Sequence, residues 1–175
     1  MSVKNDFVKP VIILSLICIF VSGALAVGHN FTQPVIAAAA AERAAVAIRE
    51  IIPEADGFEP VETSGLPRSI TTVYRTTNNI GYIFMMTVQG YVGDIRFVCG
   101  INPDGRIIRT AVLSHTETVG LGTPVFEQPH SGQYWGRDKS GIESIAIVSG
   151  ATVTSEAFKS GLRDAFAAFE IVRAR

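Results

Sequence analysis

The sequence predicts an α+β fold in which a single N-terminal transmembrane helix is followed by a domain built from a mostly antiparallel sheet and packed helices. Three patterns lead there. An uncharged apolar run covers Pro10 to Gly28. Four segments rich in β-branched and aromatic residues follow one another between Ser69 and Leu113, with turn-forming residues between them. Near the C-terminus, Phe158, Leu162, Phe166 and Phe169 recur at spacings of three and four, the stripe of a helix with one buried face. At 175 residues the chain has room for one membrane segment and one compact domain.

The first element is the run Pro10–Gly28. As a helix it covers about 28 Å at ~1.5 Å per residue, close to the thickness of a bilayer's hydrocarbon core. Lys4 and Lys9 precede it, and the next basic side chain is Arg43. The positive-inside rule therefore places residues 1–9 in the cytoplasm, residues 10–28 in the plasma (inner) membrane and residues 29–175 outside as an extracytoplasmic domain. The same basic start, apolar stretch and small residues Ala24-Leu25-Ala26 also fit a cleaved secretory signal. Length favours the anchor, and both readings deliver the domain to the same compartment.

After the membrane, Pro34–Ile52 is rich in strong helix formers, with Pro34 suited to a first turn and Pro53 closing the segment, so a separate juxtamembrane helix is expected. Pro60–Pro67 reads as a loop. Strands are expected at Ser69–Thr76, Ile80–Val88, Gly93–Ile101 and Arg106–Leu113, joined by Asn78-Asn79 and by Asn102-Pro103-Asp104-Gly105. A polar, glycine-containing interval runs from Ser114 to Gly141. Ile142–Val148 then reads as a short apolar strand leading directly into Ser149-Gly150-Ala151-Thr152, and Thr154–Val172 as the terminal helix.

Composition excludes several functions. The formal net charge is −1 with basic residues scattered, which does not make the Lys/Arg face that a nucleic-acid backbone requires, so no nucleic-acid partner is expected. Cys18 lies in the apolar run and Cys99 in an expected strand, and neither sits in a metal-binding spacing. No metal site and no intramolecular disulfide is expected. A G-x-G-x-x-G nicotinamide fingerprint is absent, as is a P-loop.

The segment Ser149-Gly150-Ala151-Thr152-Val153-Thr154-Ser155 falls where a strand is expected to end and a helix to begin. The first N–H groups of a helix have no intrahelical partners, and together with the helix dipole they favour an anion such as a phosphate. Gly150 and Ala151 would let a bulky group approach the backbone. Plain capping explains the same residues without a ligand, with Thr154 or Ser155 accepting the first helical N–H groups. About thirty residues upstream stands His115-Thr-Glu-Thr-Val-Gly-Leu-Gly122, in which Gly120 and Gly122 permit close backbone approach and Leu121 offers an apolar contact. His115 reads as a structural residue, and Tyr134 and Trp135 as packing or interface residues.

The two segments, in this order and spacing, resemble the FMN-binding domain of the Rnf and sodium-translocating NADH:quinone reductase complexes. In those proteins an H-x-E-T-P-G-L-G segment precedes an S/T-G-A-T-x-T/S segment. The resemblance covers nearly the whole chain, and the chain length is closest to the G subunit of Rnf. It implies that residues 29–175 are an FMN-binding domain and that Thr152 carries covalent FMN through a phosphoester. Ser149, Gly150, Ala151, Thr154 and Ser155 would surround the attachment point, with Glu117, Thr118, Gly120, Leu121 and Gly122 against the cofactor. Val119 stands where the family usually has proline, so the loop lacks that residue's fixed φ.

The resemblance further implies an electron-transfer subunit without catalytic residues of its own. It would work among the other membrane subunits of an Rnf-type complex that couples ferredoxin:NAD electron transfer to Na⁺ or H⁺ movement. A separate magnesium-dependent flavin transferase, using FAD, would attach the FMN. Two other readings stand beside this one: an FMN-binding subunit of a different extracytoplasmic or quinone-reactive complex, and a membrane-tethered assembly module that binds no flavin.

Overall fold

A computed structural model describes residues Val3–Arg175; Met1 and Ser2, part of the expected cytoplasmic N-terminus, lie outside the described residues. The chain divides into two compact units, the first ending at Glu42 and the second running Arg43–Arg175.

The first unit is helical. Helix α1 (Val3–Ile51) contains both Pro10 and Pro34 and includes the residues between Gly28 and Pro34. The expectation of two separate helices is corrected here. His29–Gln33 contains no glycine or proline, and the turn before Pro34 is supported by Thr32, whose hydroxyl donates back to the carbonyls of Gly28 (3.1 Å) and His29 (3.2 Å). Among the described residues, α1 is the one helix long and apolar enough to cross a membrane. Its apolar side chains from Val11 to Val27 are exposed, as a lipid-facing surface requires.

The second unit holds a five-stranded antiparallel meander, β1 (Phe58–Val61), β2 (Ile70–Thr76), β3 (Tyr82–Gln89), β4 (Asp94–Ile101) and β5 (Ile107–Ser114), in that spatial order. The four expected strands match β2 to β5 within about two residues. β1 falls partly in the segment read as loop. It is four residues long, contains Pro60 and pairs only with β2, as a proline-bearing edge strand does. Two of the turns are those the sequence marks, where Asn79 and Gly105 take positive φ, 56° and 74°.

Strand alternation gives the sheet two apolar faces. Phe84, Met86, Phe97 and Cys99 point to one side, where helix α2 (Thr152–Arg173) lays down Phe158, Leu162, Ala165, Phe166 and Phe169. Each large side chain buried there contributes roughly 1.5–3 kcal/mol. Ile83 and Val98 point to the other side and pack with Ile48, Ile51 and Ile52 from the end of α1 and the residue after it. Gly100 on β4 makes room for this contact, because a Cβ there would collide with the Ile51 side chain. The sheet is thus covered on both faces. Burial among these side chains pushes the Cys99 thiol pKa up, which keeps it protonated and unreactive.

Between β5 and α2 the chain makes three short 3-10 turns, at Thr123–Val125, Ser131–Tyr134 and Gly141–Ser144. An aromatic cluster ties this region to α2: Phe158 lies 4.5 Å from Phe97, 5.4 Å from Tyr134 and 5.8 Å from Phe126, centroid to centroid. Tyr134 is buried, and Trp135 lies under the Arg109 guanidinium at 5.0 Å. The strand expected at Ile142–Val148 does not form. Its first residues are in a 3-10 turn, and the carbonyl of Ile145 accepts a bond from the buried Lys159 ammonium at 2.6 Å rather than from a neighbouring strand.

Candidate functional site

The start of α2 is set by the turn that precedes it. The N–H of Ala151 donates to the carbonyl of Val148 (3.0 Å), Gly150 takes φ of 82°, and the helix begins at Thr152, two residues earlier than expected. A left-handed φ costs an L-residue roughly 1–2 kcal/mol, which explains glycine at position 150. No strand leads into this turn, so the expected strand-to-helix junction is a turn-to-helix junction.

Capping does not account for the polar residues of the motif. The helix is preceded by Ala151, which has no polar side chain, and no side chain caps its first N–H groups. The alternative in which Thr154 or Ser155 caps the helix is excluded by their contacts. Thr154 donates its hydroxyl to Glu117 Oε2 at 2.6 Å, and Ser155 Oγ accepts the N–H of Val148 at 3.1 Å. Both are buried. The N–H groups of Thr152, Val153 and Thr154, which a helix cannot satisfy internally, are left for a group outside the helix.

Glu117 is the hub of the region. It is only 5% exposed. Its Oε1 accepts the N–H of Val92 at 3.0 Å, and the N–H groups of Tyr91 and Gly93 lie close enough to favour its charged form. Burial by itself would raise the pKa, but the Thr154 hydroxyl and these three backbone donors outweigh it and hold the carboxyl below its ordinary value. One side chain thereby joins three pieces of chain: the 115–122 loop, the turn between β3 and β4, and the first turn of α2. Gly122 serves this packing, since a Cβ there would lie 2.8 Å from Glu117 Cβ.

These pieces enclose a cleft of about 290 Å³. One wall is Gly150, Ala151, Thr152, Val153 and Thr154; the other is Glu117, Thr118, Leu121 and Gly122, with Tyr91 from the β3–β4 turn. Thr118 shapes its loop by accepting the N–H groups of Leu121 (3.1 Å) and Gly122 (2.9 Å) on its carbonyl. Thr152 is exposed at the cleft, while Leu121, half exposed, supplies an apolar surface. Of the residues picked out in the sequence, eight meet in this cleft. Ser149, Gly120 and Ser155 do not line it: Gly120 forms the loop's turn with φ of 78°, and Ser155 lies beneath the helix start.

Tyr91 and Val153 were missed. The signal for Tyr91 is Gly90-Tyr91-Val92-Gly93, two large apolar residues at the tip of a hairpin where polar residues are usual. Among the described residues, no cluster of His, Cys, Asp and Glu suited to a metal ion is present.

Chemically, the cleft offers an anion-binding helix start beside a nucleophilic hydroxyl, and an apolar and aromatic wall a short way off. A phosphate joined to a flat apolar ring system has both parts accommodated. Residues 90–167, which contain every element of the cleft, match the family model of the FMN-binding domain. The chain is 28% identical to the G subunit of the proton-translocating ferredoxin:NAD(+) oxidoreductase complex of Clostridium ljungdahlii, in an alignment covering 87% of this chain and 85% of that protein. It is 29% identical to the G subunit of the ion-translocating oxidoreductase complex of Methanosarcina acetivorans, covering 94% of this chain and 95% of that one. To the G subunit of the Na(+)-translocating ferredoxin:NAD(+) oxidoreductase complex of Acetobacterium woodii it is 27% identical, with 86% of each chain covered. The chain carries an FMN-binding domain and is similar along most of its length to these three proteins.

Proposed function

We propose that this protein is the FMN-bearing electron-transfer subunit of an Rnf-type ferredoxin:NAD oxidoreductase complex in the plasma membrane, and that Thr152 holds the FMN covalently through a phosphoester. The observation that carries the reading is the start of α2. An exposed threonine hydroxyl stands on a helix end that has no side-chain cap, in a cleft that Leu121 and Tyr91 also line with apolar surface. The similarity to the corresponding subunits of three organisms supports membership of such a complex.

In this reading the N–H groups of Thr152, Val153 and Thr154 hold the phosphate oxygens, each contact adding ~0.3–1 kcal/mol with the helix dipole. Gly150 and Ala151 keep that approach clear of side chains. Leu121, with Gly122 and Thr118, faces the flavin, and Glu117 fixes the loop that carries them. When bound, FMN supplies transfer of electrons one at a time, and the phosphoester leaves its ring unmodified. Attachment forms a bond between Thr152 Oγ and the FMN phosphorus of FAD, breaks the pyrophosphate bond and releases AMP, with the hydroxyl proton passing to a separate magnesium-dependent flavin transferase. Residues 10–28 of α1 cross the membrane, residues 1–9 are cytoplasmic, and the domain from residue 29 onward lies outside among the other subunits of the complex.

The test is a denaturing gel of the protein co-expressed with a flavin transferase, viewed for flavin fluorescence beside the Thr152→Ala variant. A fluorescent wild-type band and a dark variant are expected. A dark wild-type band, with the transferase active on a control substrate, refutes the reading in favour of a flavin-free assembly module.

A further inference from the structure

Tyr91 sits at the tip of the β3–β4 hairpin with 71% of its surface exposed, yet the backbone that carries it is bonded on both sides of the turn. Gly90 N–H donates to Gly93 carbonyl at 2.8 Å, closing the turn. Glu117 Oε1 accepts the N–H of Val92 at 3.0 Å, and the N–H groups of Tyr91 and Gly93 lie beside the same carboxylate. Glycine at position 90 is dictated by this packing: a Cβ there would collide with Glu117 Oε1 and Ile95 Cδ1. A buried carboxylate and a closely packed glycine thus hold a turn whose aromatic packs on no core cluster and lines the same cleft as Thr152. Fixing a turn so firmly in order to display a bare aromatic ring has no use in packing. It is the arrangement of a stacking platform, since aromatic faces recognise flat ring systems by offset or edge contacts.

From this we infer that Tyr91 is the ring-contacting residue of the cofactor cleft, stacking against the isoalloxazine while α2 holds the phosphate. The inference rests on the FMN reading given above. Glu117 makes the two ends of the site one mechanical unit, because the same carboxylate that holds the Tyr91 turn also holds Thr154 in the first turn of α2.

A phenol in contact with a flavin quenches its fluorescence, so the readout is the flavin itself. Full-length protein carrying covalent flavin is compared in detergent, folded and then denatured, as wild type, Tyr91→Ala, Tyr91→Leu and Tyr91→Trp. Incorporation is measured separately on denaturing gels. The expected result is a several-fold rise in folded-state fluorescence per incorporated flavin for Tyr91→Ala and Tyr91→Leu. Tyr91→Trp is expected to restore quenching and the visible circular dichroism of the bound flavin. Tyr91→Leu guards against a simple loss of folding, because it keeps an apolar side chain on the turn. Equal folded-state fluorescence in wild type and Tyr91→Leu, with full incorporation in both, overturns the inference and leaves the FMN reading standing. Absence of flavin from the wild type overturns both.

Discussion

Exchanging Glu117 for Gln tests the claim that one buried carboxylate assembles the site. The substitution keeps the side chain's shape and replaces one acceptor oxygen with an NH₂ donor. Backbone N–H groups cannot turn round, so the remaining oxygen of the glutamine must stay on Val92, now bonded at 3.0 Å. The amide then faces Thr154, now bonded at 2.6 Å, whose hydroxyl has to switch from donor to acceptor. Bonds to charged groups are worth ~1.5–3 kcal/mol and neutral ones ~0.5–1.5, so losing the charge across these bonds is expected to cost about 2 kcal/mol. For a domain of this size that lowers Tm by roughly 7 °C. The assay is thermal unfolding of the full chain in detergent, followed by near-ultraviolet circular dichroism. The pH dependence has a definite sign. Because the folded carboxyl titrates below its ordinary 4.5, its stabilisation is fully present above that value and is lost as pH falls through the lower folded one. The gap between wild type and Glu117→Gln is therefore expected to be widest at neutral pH and to close in acid. Equal Tm values at neutral pH, or a gap that widens on acidification, refute the assignment of Glu117 as the hub.

Four further outcomes are expected. Gly161→Ala should destabilise by about 1–3 kcal/mol in urea unfolding, although alanine ordinarily favours a helix interior, because its Cβ would lie 2.6 Å from Phe97 Cζ and 3.0 Å from Val88 Cγ1. Phe158→Ala should cost about 3–5 kcal/mol by the same measurement, since that ring holds Phe97, Phe126 and Tyr134 together. Gly150→Ala, forced to a φ of 82°, should cost about 1–2 kcal/mol and weaken the flavin band on a denaturing gel. Arg163→Ala should change stability by less than about 1 kcal/mol, because its pair with Glu143, though 2.6 Å long, is part-exposed on both sides.

The four central strands and α2 are legible in the sequence because each carries a periodicity that only one secondary structure satisfies, and Asn79 and Gly105 mark two of the turns between them. β1 is not, because four residues around Pro60 carry too little pattern to separate an edge strand from a loop. Ile142–Val148 misleads for the opposite reason: its apolar run is real, but a buried lysine on α2 supplies the hydrogen bond that a neighbouring strand would have given. Pro34 misleads because a proline inside an otherwise helical pattern removes one backbone donor without ending a helix that good helix formers continue on its C-terminal side. At the site, the two motifs mark most of the cleft but not the division of labour within it. Glu117 looks only like a cofactor contact in sequence, whereas it lines the cleft with both oxygens bonded within the chain, to Val92 and Thr154. Tyr91 lies outside both motifs and is marked only by the Gly90-Tyr91-Val92-Gly93 turn, since its role depends on that turn being held by a carboxylate some distance along the chain.

The order of the sheet has a consequence for how the protein is made. Every strand pairs with its sequence neighbours, so the meander can grow hairpin by hairpin as the chain is delivered, without waiting for distant segments. The cleft cannot be built in that way. Thr152 and Thr154 belong to the helix that arrives after all five strands, and until that helix docks neither the phosphate-facing N–H groups nor the partner of Glu117 exists. Completion of the cleft is therefore a report that the whole domain has folded. A modifying enzyme that recognises the assembled cleft would act on finished molecules and pass over incomplete ones, so cofactor attachment would double as an inspection step at the end of biogenesis.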